Sequence, residues 1–262
     1  MRALRLTALT TFAILLGAAP GRLAPITSRF RVDQTLTQDV DATAAGKGRQ
    51  RVSFSTSSFL TVTLNDTAGG KAVRIVVDSM RGDSASPIPT SVFDSARGAE
   101  FHAFLSAAGK LSTLEAVNVS PAAARVQGFL TDFFPWVKAR AKPGEQWADT
   151  STQATTNGLD SVVVRRVTSY RVAGRETRGA RKALRVTSEY SSTIRGTQPT
   201  DTGQPARIEG SGTGSGVYFV SPDGAYLGGD WRLESALTIA GAFAEHPLPI
   251  TISQTTKVTP IP

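Results

Sequence analysis

The chain reads as a mainly β protein of the α+β kind: two tandem antiparallel β-meander units forming curved sheets, with one amphipathic helix between them. Three observations predict this. Ser, Thr and Gly are abundant and β-branched residues are frequent, a composition that favours strands and turns. Short stretches alternate with period two: in Ala72–Asp78, Val73, Ile75 and Val77 share one face, with Arg74 and Asp78 on the other. Similar stretches also recur in the same order. KAVRIVVD (Lys71–Asp78) matches KALRVTSE (Lys182–Glu189), Arg81–Gly82 matches Arg195–Gly196, and FLSAAG (Phe104–Gly109) matches FVSPDG (Phe219–Gly224). The offsets stay between about 111 and 115 residues, far longer than a solenoid period, so they point to a doubled domain.

Residues 1–24 read as a secretion signal. Arg2 and Arg5 form a positive start, Leu6–Leu16 an apolar run, and Gly17–Ala19 a small-residue cleavage region. The run is shorter than the ~20 residues of a spanning helix, and no later stretch is long and apolar enough to span. The expected location is the periplasm or the extracellular space, with no transmembrane segment once the signal is removed.

The first β unit covers 25–119. Its hairpin crosses LNDTAGGK (Leu64–Lys71), rich in turn residues. In EFHAFLS, Phe101, Ala103 and Leu105 share a face and His102 lies opposite. A helix and connector occupy 120–147. Ser120 is a suitable N-cap and Pro121 a suitable first helical residue. Val126, Phe129, Leu130, Phe133 and Phe134 then repeat at helical spacing until Pro135 ends the helix. This apolar stripe is expected to plug the concave face of the sheet. The second β unit covers 148–262. Its hairpin crosses AGRETRGARK, and SPDG (Ser221–Gly224) is a tight turn in which Gly224 takes the left-handed conformation, as Gly109 does in SAAG. Gly210–Gly216, GSGTGSG, precedes no helix and reads as a flexible connection, not a phosphate loop.

The chain has no cysteine, which excludes disulfides, thiolate catalysis, Cys-based zinc sites and a lipid-modified N-terminal Cys. No hydrolase, zinc-protease, nucleotide-loop or calcium-loop pattern occurs. His102 and His246 have no acid or nucleophile at a useful spacing. Arg81-Gly82-Asp83 reads as a turn. No catalytic residue, metal or cofactor is therefore expected. The net charge is +8, with 29 Lys and Arg against 21 Asp and Glu. Setting aside Arg2, Arg5 and Arg22 leaves 26 against 21, or +5. That is mildly basic and well short of a nucleic-acid footprint.

The candidate site is a run of cations around the second hairpin: Arg165, Arg166, Arg171, Arg175, Arg178, Arg181, Lys182 and Arg185, with Glu176 the one acid among them. The equivalent stretch of the first unit keeps only Lys71 and Arg74. A feature present in one copy alone calls for its own reason, and an anionic partner supplies one. The signal, the doubled meander, the FFPW…KPGEQW segment and the YFVSPDGAYLGG hairpin together resemble secreted bacterial proteins of uncharacterised families. In outline they are similar to the curved sheet plus helix of periplasmic lipoprotein carriers. That resemblance implies a concave face that holds acyl chains. The expected function is a non-catalytic protein binding a hydrophobic or amphiphilic ligand, a lipid or an anionic envelope component. A structural or adhesive module and an unrecognised enzyme are the alternatives. No oligomeric state is assigned.

Overall fold

A computed structural model describes residues 25–117, 126–127, 130, 133–138, 140–157, 160–199, 204–222, 224–241 and 246–262. The expected signal at 1–24, and Ser120, Pro121 and Phe129 of the expected helix, lie outside the described residues.

The protein is mainly β, as the composition predicts. The strands are β1 (Ile26–Ala42), β2 (Gly48–Thr67), β3 (Gly70–Gly82), β4 (Glu100–Ser106), β5 (Glu115–Ala116), β6 (Gln146–Asn157), β7 (Asp160–Arg178), β8 (Arg181–Pro199), β9 (Pro205–Val220), β10 (Tyr226–Gly241) and β11 (Leu248–Ile261). All eleven form one antiparallel sheet in the order β5-β4-β3-β2-β1-β11-β10-β9-β8-β7-β6. The two stretches read as units therefore share a single sheet. They meet at one seam, where β1 pairs with β11 from Arg29↔Ile261 to Val40↔Ile250. Every other neighbour is joined through the chain as a simple meander, except across the open margins β5 and β6.

The recurring stretches occupy matching places. Thr67 pairs with Gly70 across a two-residue turn, and Arg178 pairs with Arg181 in the same way. KAVRIVVD and KALRVTSE each begin one residue after that pair. Gly69 (φ 82°) and Gly179 (φ 57°) supply the left-handed backbone that such turns need. The two Phe-x-Ser-x-x-Gly stretches also fold alike. Gly109 N donates to Ser106 O at 2.8 Å, and Gly224 N donates to Ser221 O at 2.8 Å. In each, the serine Oγ also accepts from the backbone N–H four residues on, at 3.1 Å from Lys110 and 2.9 Å from Ala225.

The sheet curls until its margins meet at one end. Lys110 Nζ, between β4 and β5, lies 2.9 Å from Asp149 Oδ1 on β6. Between the margins runs the segment 133–138. Trp136 Nε1 donates to Ala108 O (3.2 Å), and Trp147 Nε1 on β6 donates to Trp136 O (3.0 Å). The core lies inside this curl. Val73, Ile75, Val77 and Phe101 are buried as their alternation requires. Val126, Leu130 and Phe133 are 0% exposed in the same cluster as Phe30, Leu60, Val172, Val186 and Tyr226. The backbone is helical at 126, 127 and 130, so the apolar stripe does plug the concave face where it is described. Phe133 packs edge-on against Phe30 (5.4 Å) and Tyr226 (5.2 Å), which brings β1 and β10 onto one side chain. Such T-shaped contacts add to the gain from burial.

The core fills only one end. β2 has 20 residues, or about 65 Å of strand, and the far part of the sheet projects beyond the cluster. There the outer face is laced by hydroxyl pairs, Thr35 with Ser55 (3.0 Å) and Thr37 with Ser53 (2.9 Å). The inner face keeps half-buried apolar residues, among them Leu36, Phe54, Leu233 and Ile252.

Gly210–Gly216 is not a connection. It lies inside β9, with its glycines in register with inward-facing residues of β8 and β10. A Cβ at Gly214 would stand 2.3 Å from the Tyr190 ring, and one at Gly216 2.8 Å from the Tyr218 ring. The glycines make room for aromatic rings to lie over the strand. A further short helix, α1 (Thr90–Asp94), was not foreseen. It buries Phe93 against the end of β3, where Gly82 leaves space for the ring.

Candidate functional site: a cation-rimmed cavity at the closed end of the sheet

Five pieces of chain surround a cavity of about 1110 Å³. They are the β2–β3 turn, the turn after β4, the segment from Phe134 to Lys142, the β7–β8 hairpin and the β9–β10 turn. Its floor is apolar: Leu105, Phe134, Val137, Leu184, Val220 and Tyr226 line it. Leu184, Val220 and Tyr226 are core residues. The floor is thus continuous with the core itself, at the end of the curl.

The rim is basic. Lys71, Lys138, Arg140, Lys142, Arg175 and Lys182 line it, against Asp66 and Glu176. Both acids are already engaged: Asp66 with Lys71, and Glu176 with Arg178 at 3.0 Å. Lys138 lies 3.6 Å from Glu145. Arg140, Lys142, Arg175 and Lys182 have no acidic partner among the described residues. Arg140 is also the one described non-glycine residue with positive φ, at 60°. A side chain with Cβ rarely adopts that conformation, and where it does, the surroundings hold it there.

Of the eight cations singled out by sequence, two reach this cavity. The reason is a β-bulge. Strict alternation puts Arg171 and Arg175 on the same face. Between Val172 and Gly174 the register of β7 against β8 slips by one residue. Arg175 then pairs with inward-facing Leu184, while Arg171 stays outside. An extra residue in one strand reverses every later face, which is how bulges re-aim side chains. Lys182, two residues before Leu184, faces inward with it. The remaining six lie elsewhere. Arg165, Arg171 and Arg185 are exposed on the outer face. Arg178 stacks over Phe219, 3.5 Å from the ring centre, covering a small outer cluster of Ala183, Phe219 and Leu227. Arg181 is exposed at the hairpin tip. Arg166 is on the inner face, its guanidinium 4.2 Å from the Tyr190 ring centre.

Sequence reading missed Lys138, Arg140 and Lys142. Their signal was present, three cations spaced by two along VKARAK, but it lay in a connector and away from the richer hairpin run.

Burial raises the Tyr226 hydroxyl well above its ordinary range, with smaller contributions from Tyr218 and Asp230, and it has no hydrogen-bond partner. His102 lies on the outer face, 2.7 Å from Glu100, which also takes two bonds from Arg74. Those bonds, Arg74 first and His102 second, lower the Glu100 carboxyl to about 2. Neither histidine lines the cavity. Among the described residues no group of three acidic or histidine side chains is placed to hold a metal ion, and no helix is long and apolar enough to cross a membrane.

No protein-family model matches the chain, and no curated protein or solved structure compared with it does so either.

Proposed function

We propose that this chain is a non-catalytic protein of the periplasm or extracellular space that holds an anionic amphiphile at the closed end of its sheet. The apolar part of the ligand lies on the core surface formed by Phe134, Leu184, Val220 and Tyr226. The charged part lies among the rim cations. One observation carries this reading: a large cavity whose floor is apolar and whose unpaired rim charges, among the described residues, are all positive. Apolar burial drives the association, and a few placed charges fix its direction. The leader-like residues 1–24 support the compartment. We read the two matching hairpins and turns as copies of one unit, so that the charge difference between them is the ligand-specific addition.

Native mass spectrometry of the full chain purified from its own host tests the reading. The expected result is a protein mass accompanied by a releasable lipid-sized adduct. A clean unliganded mass at high recovery rejects it.

A further inference from the structure

Building on the amphiphile reading above, we infer that the rim selects a phosphate monoester head group over a carboxylate. The observation is the count and kind of unpaired charge. Arg140 and Lys142 come from the connector, and Arg175 and Lys182 from the β7–β8 hairpin. Two separate segments thus bring two guanidinium groups and two ammonium groups to one rim. A carboxylate carries one charge and two acceptor oxygens. A phosphate monoester carries nearly two charges above its second pKa of about 6, and three acceptor oxygens. Guanidinium groups match those oxygens in pairs, while lysine acts as a mobile point charge.

The arrangement also gives the head group a side. Lys71, on the β2–β3 hairpin, is neutralised by Asp66, and Lys138 lies beside Glu145. On the β7–β8 hairpin Glu176 is drawn to Arg178, and among the described residues no acid is left for Arg175 or Lys182. The head group therefore sits toward the β7–β8 hairpin and the connector, with the tail over Phe134, Leu184 and Val220. The bulge in β7 turns Arg175 to the inner face, and Arg140 lines the same cavity from the connector.

The test is calorimetric titration of the full chain at pH 8 and low salt with inorganic phosphate and with dodecyl phosphate, dodecanoate and dodecyl maltoside, each amphiphile below its micelle-forming concentration. Dodecyl phosphate is expected to bind about tenfold tighter than dodecanoate, as charge-assisted bonds to an extra oxygen and charge require. The double variant Arg175→Gln/Lys182→Gln is expected to lose that preference and to bind dodecyl maltoside as before. Arg185→Gln, on the outer face, is expected to keep it. Equal affinity for phosphate and carboxylate, or a preference that survives the double variant, overturns the head-group inference while leaving the amphiphile reading in place. Inorganic phosphate binding as tightly as dodecyl phosphate overturns both, since the tail would then contribute nothing. Binding of none of the three amphiphiles also overturns both.

Discussion

The turn after β4 and the turn between β9 and β10 share a backbone geometry and differ in surroundings. In the first, Gly109 lies directly against the connector: a Cβ there would stand 1.9 Å from Val137 O. In the second, Gly224 has nothing within 4 Å of where its Cβ would be. The hairpins repeat the contrast. The β2–β3 tip is internally neutralised by Lys71 and Asp66, whereas Arg175 and Lys182 at the β7–β8 tip have no acidic partner among the described residues. At these two turns the connector covers Gly109 of the first half and leaves Gly224 of the second open. The second half is left as the open, charged lip. Equivalent local structure thus does two jobs, depending on what the 133–142 segment covers.

The largest expected effect breaks the seal itself. Phe133→Ala removes the ring that touches both β1 and β10 and should cost about 3–5 kcal/mol in urea unfolding. A loss under about 1 kcal/mol, the size typical of surface changes, would mean that the connector does not hold the curl shut. The next test sets the two turns against each other. Gly224→Ala should cost only the left-handed backbone penalty, about 1–2 kcal/mol. Gly109→Ala adds a clash with backbone and should cost about 1–3 kcal/mol more. Equal losses would dissolve the contrast. A smaller effect comes from the tips. Lys71→Ala should lower stability by at most about 1 kcal/mol, as an exposed ion pair does. Arg175→Ala should leave stability unchanged or slightly raised at low salt, by relieving repulsion among unpaired cations.

A comparably small effect, readable by its pH dependence, lies on the outer face of the first half. Glu100 is held at about 2, below its ordinary 4.5, by Arg74 and then His102. A lowered carboxyl stabilises the fold above its unfolded value, and that contribution fades as pH falls through the folded value. Glu100→Gln should therefore be less stable than the parent at pH 7 by up to about 1 kcal/mol, given its exposure. The gap should close between pH 4.5 and about 2. A gap that widens in acid would contradict the sign.

Much of the near end was legible in sequence because local signals suffice there. Alternation put Val73, Ile75, Val77 and Phe101 in the core, helical spacing did the same for Val126, Leu130 and Phe133, and glycines marked the paired turns. The β1–β11 seam was not legible, since no local feature of either strand names a partner more than 200 residues away. The strand around Gly210–Gly216 was misread because its inward positions carry no side chain and so no apolar period. The site was half legible. The hairpin's charge stood out, but sorting Arg175 inward and Arg171 outward needed the bulge, which a period-two reading passes over.

The seam has a consequence for the order of events during folding. Each flank of the sheet can zip as a run of hairpins between neighbours in sequence. Joining the flanks requires the first of the eleven strands to find the last. Such a long-range pairing carries the greatest entropic cost of closure and comes slowly. Until β11 arrives, β1 presents an unpaired edge in the middle of the future sheet, exposed to whatever else can add a strand. The protein spends its assembly with its most vulnerable edge at its centre and its two permanent margins already in place.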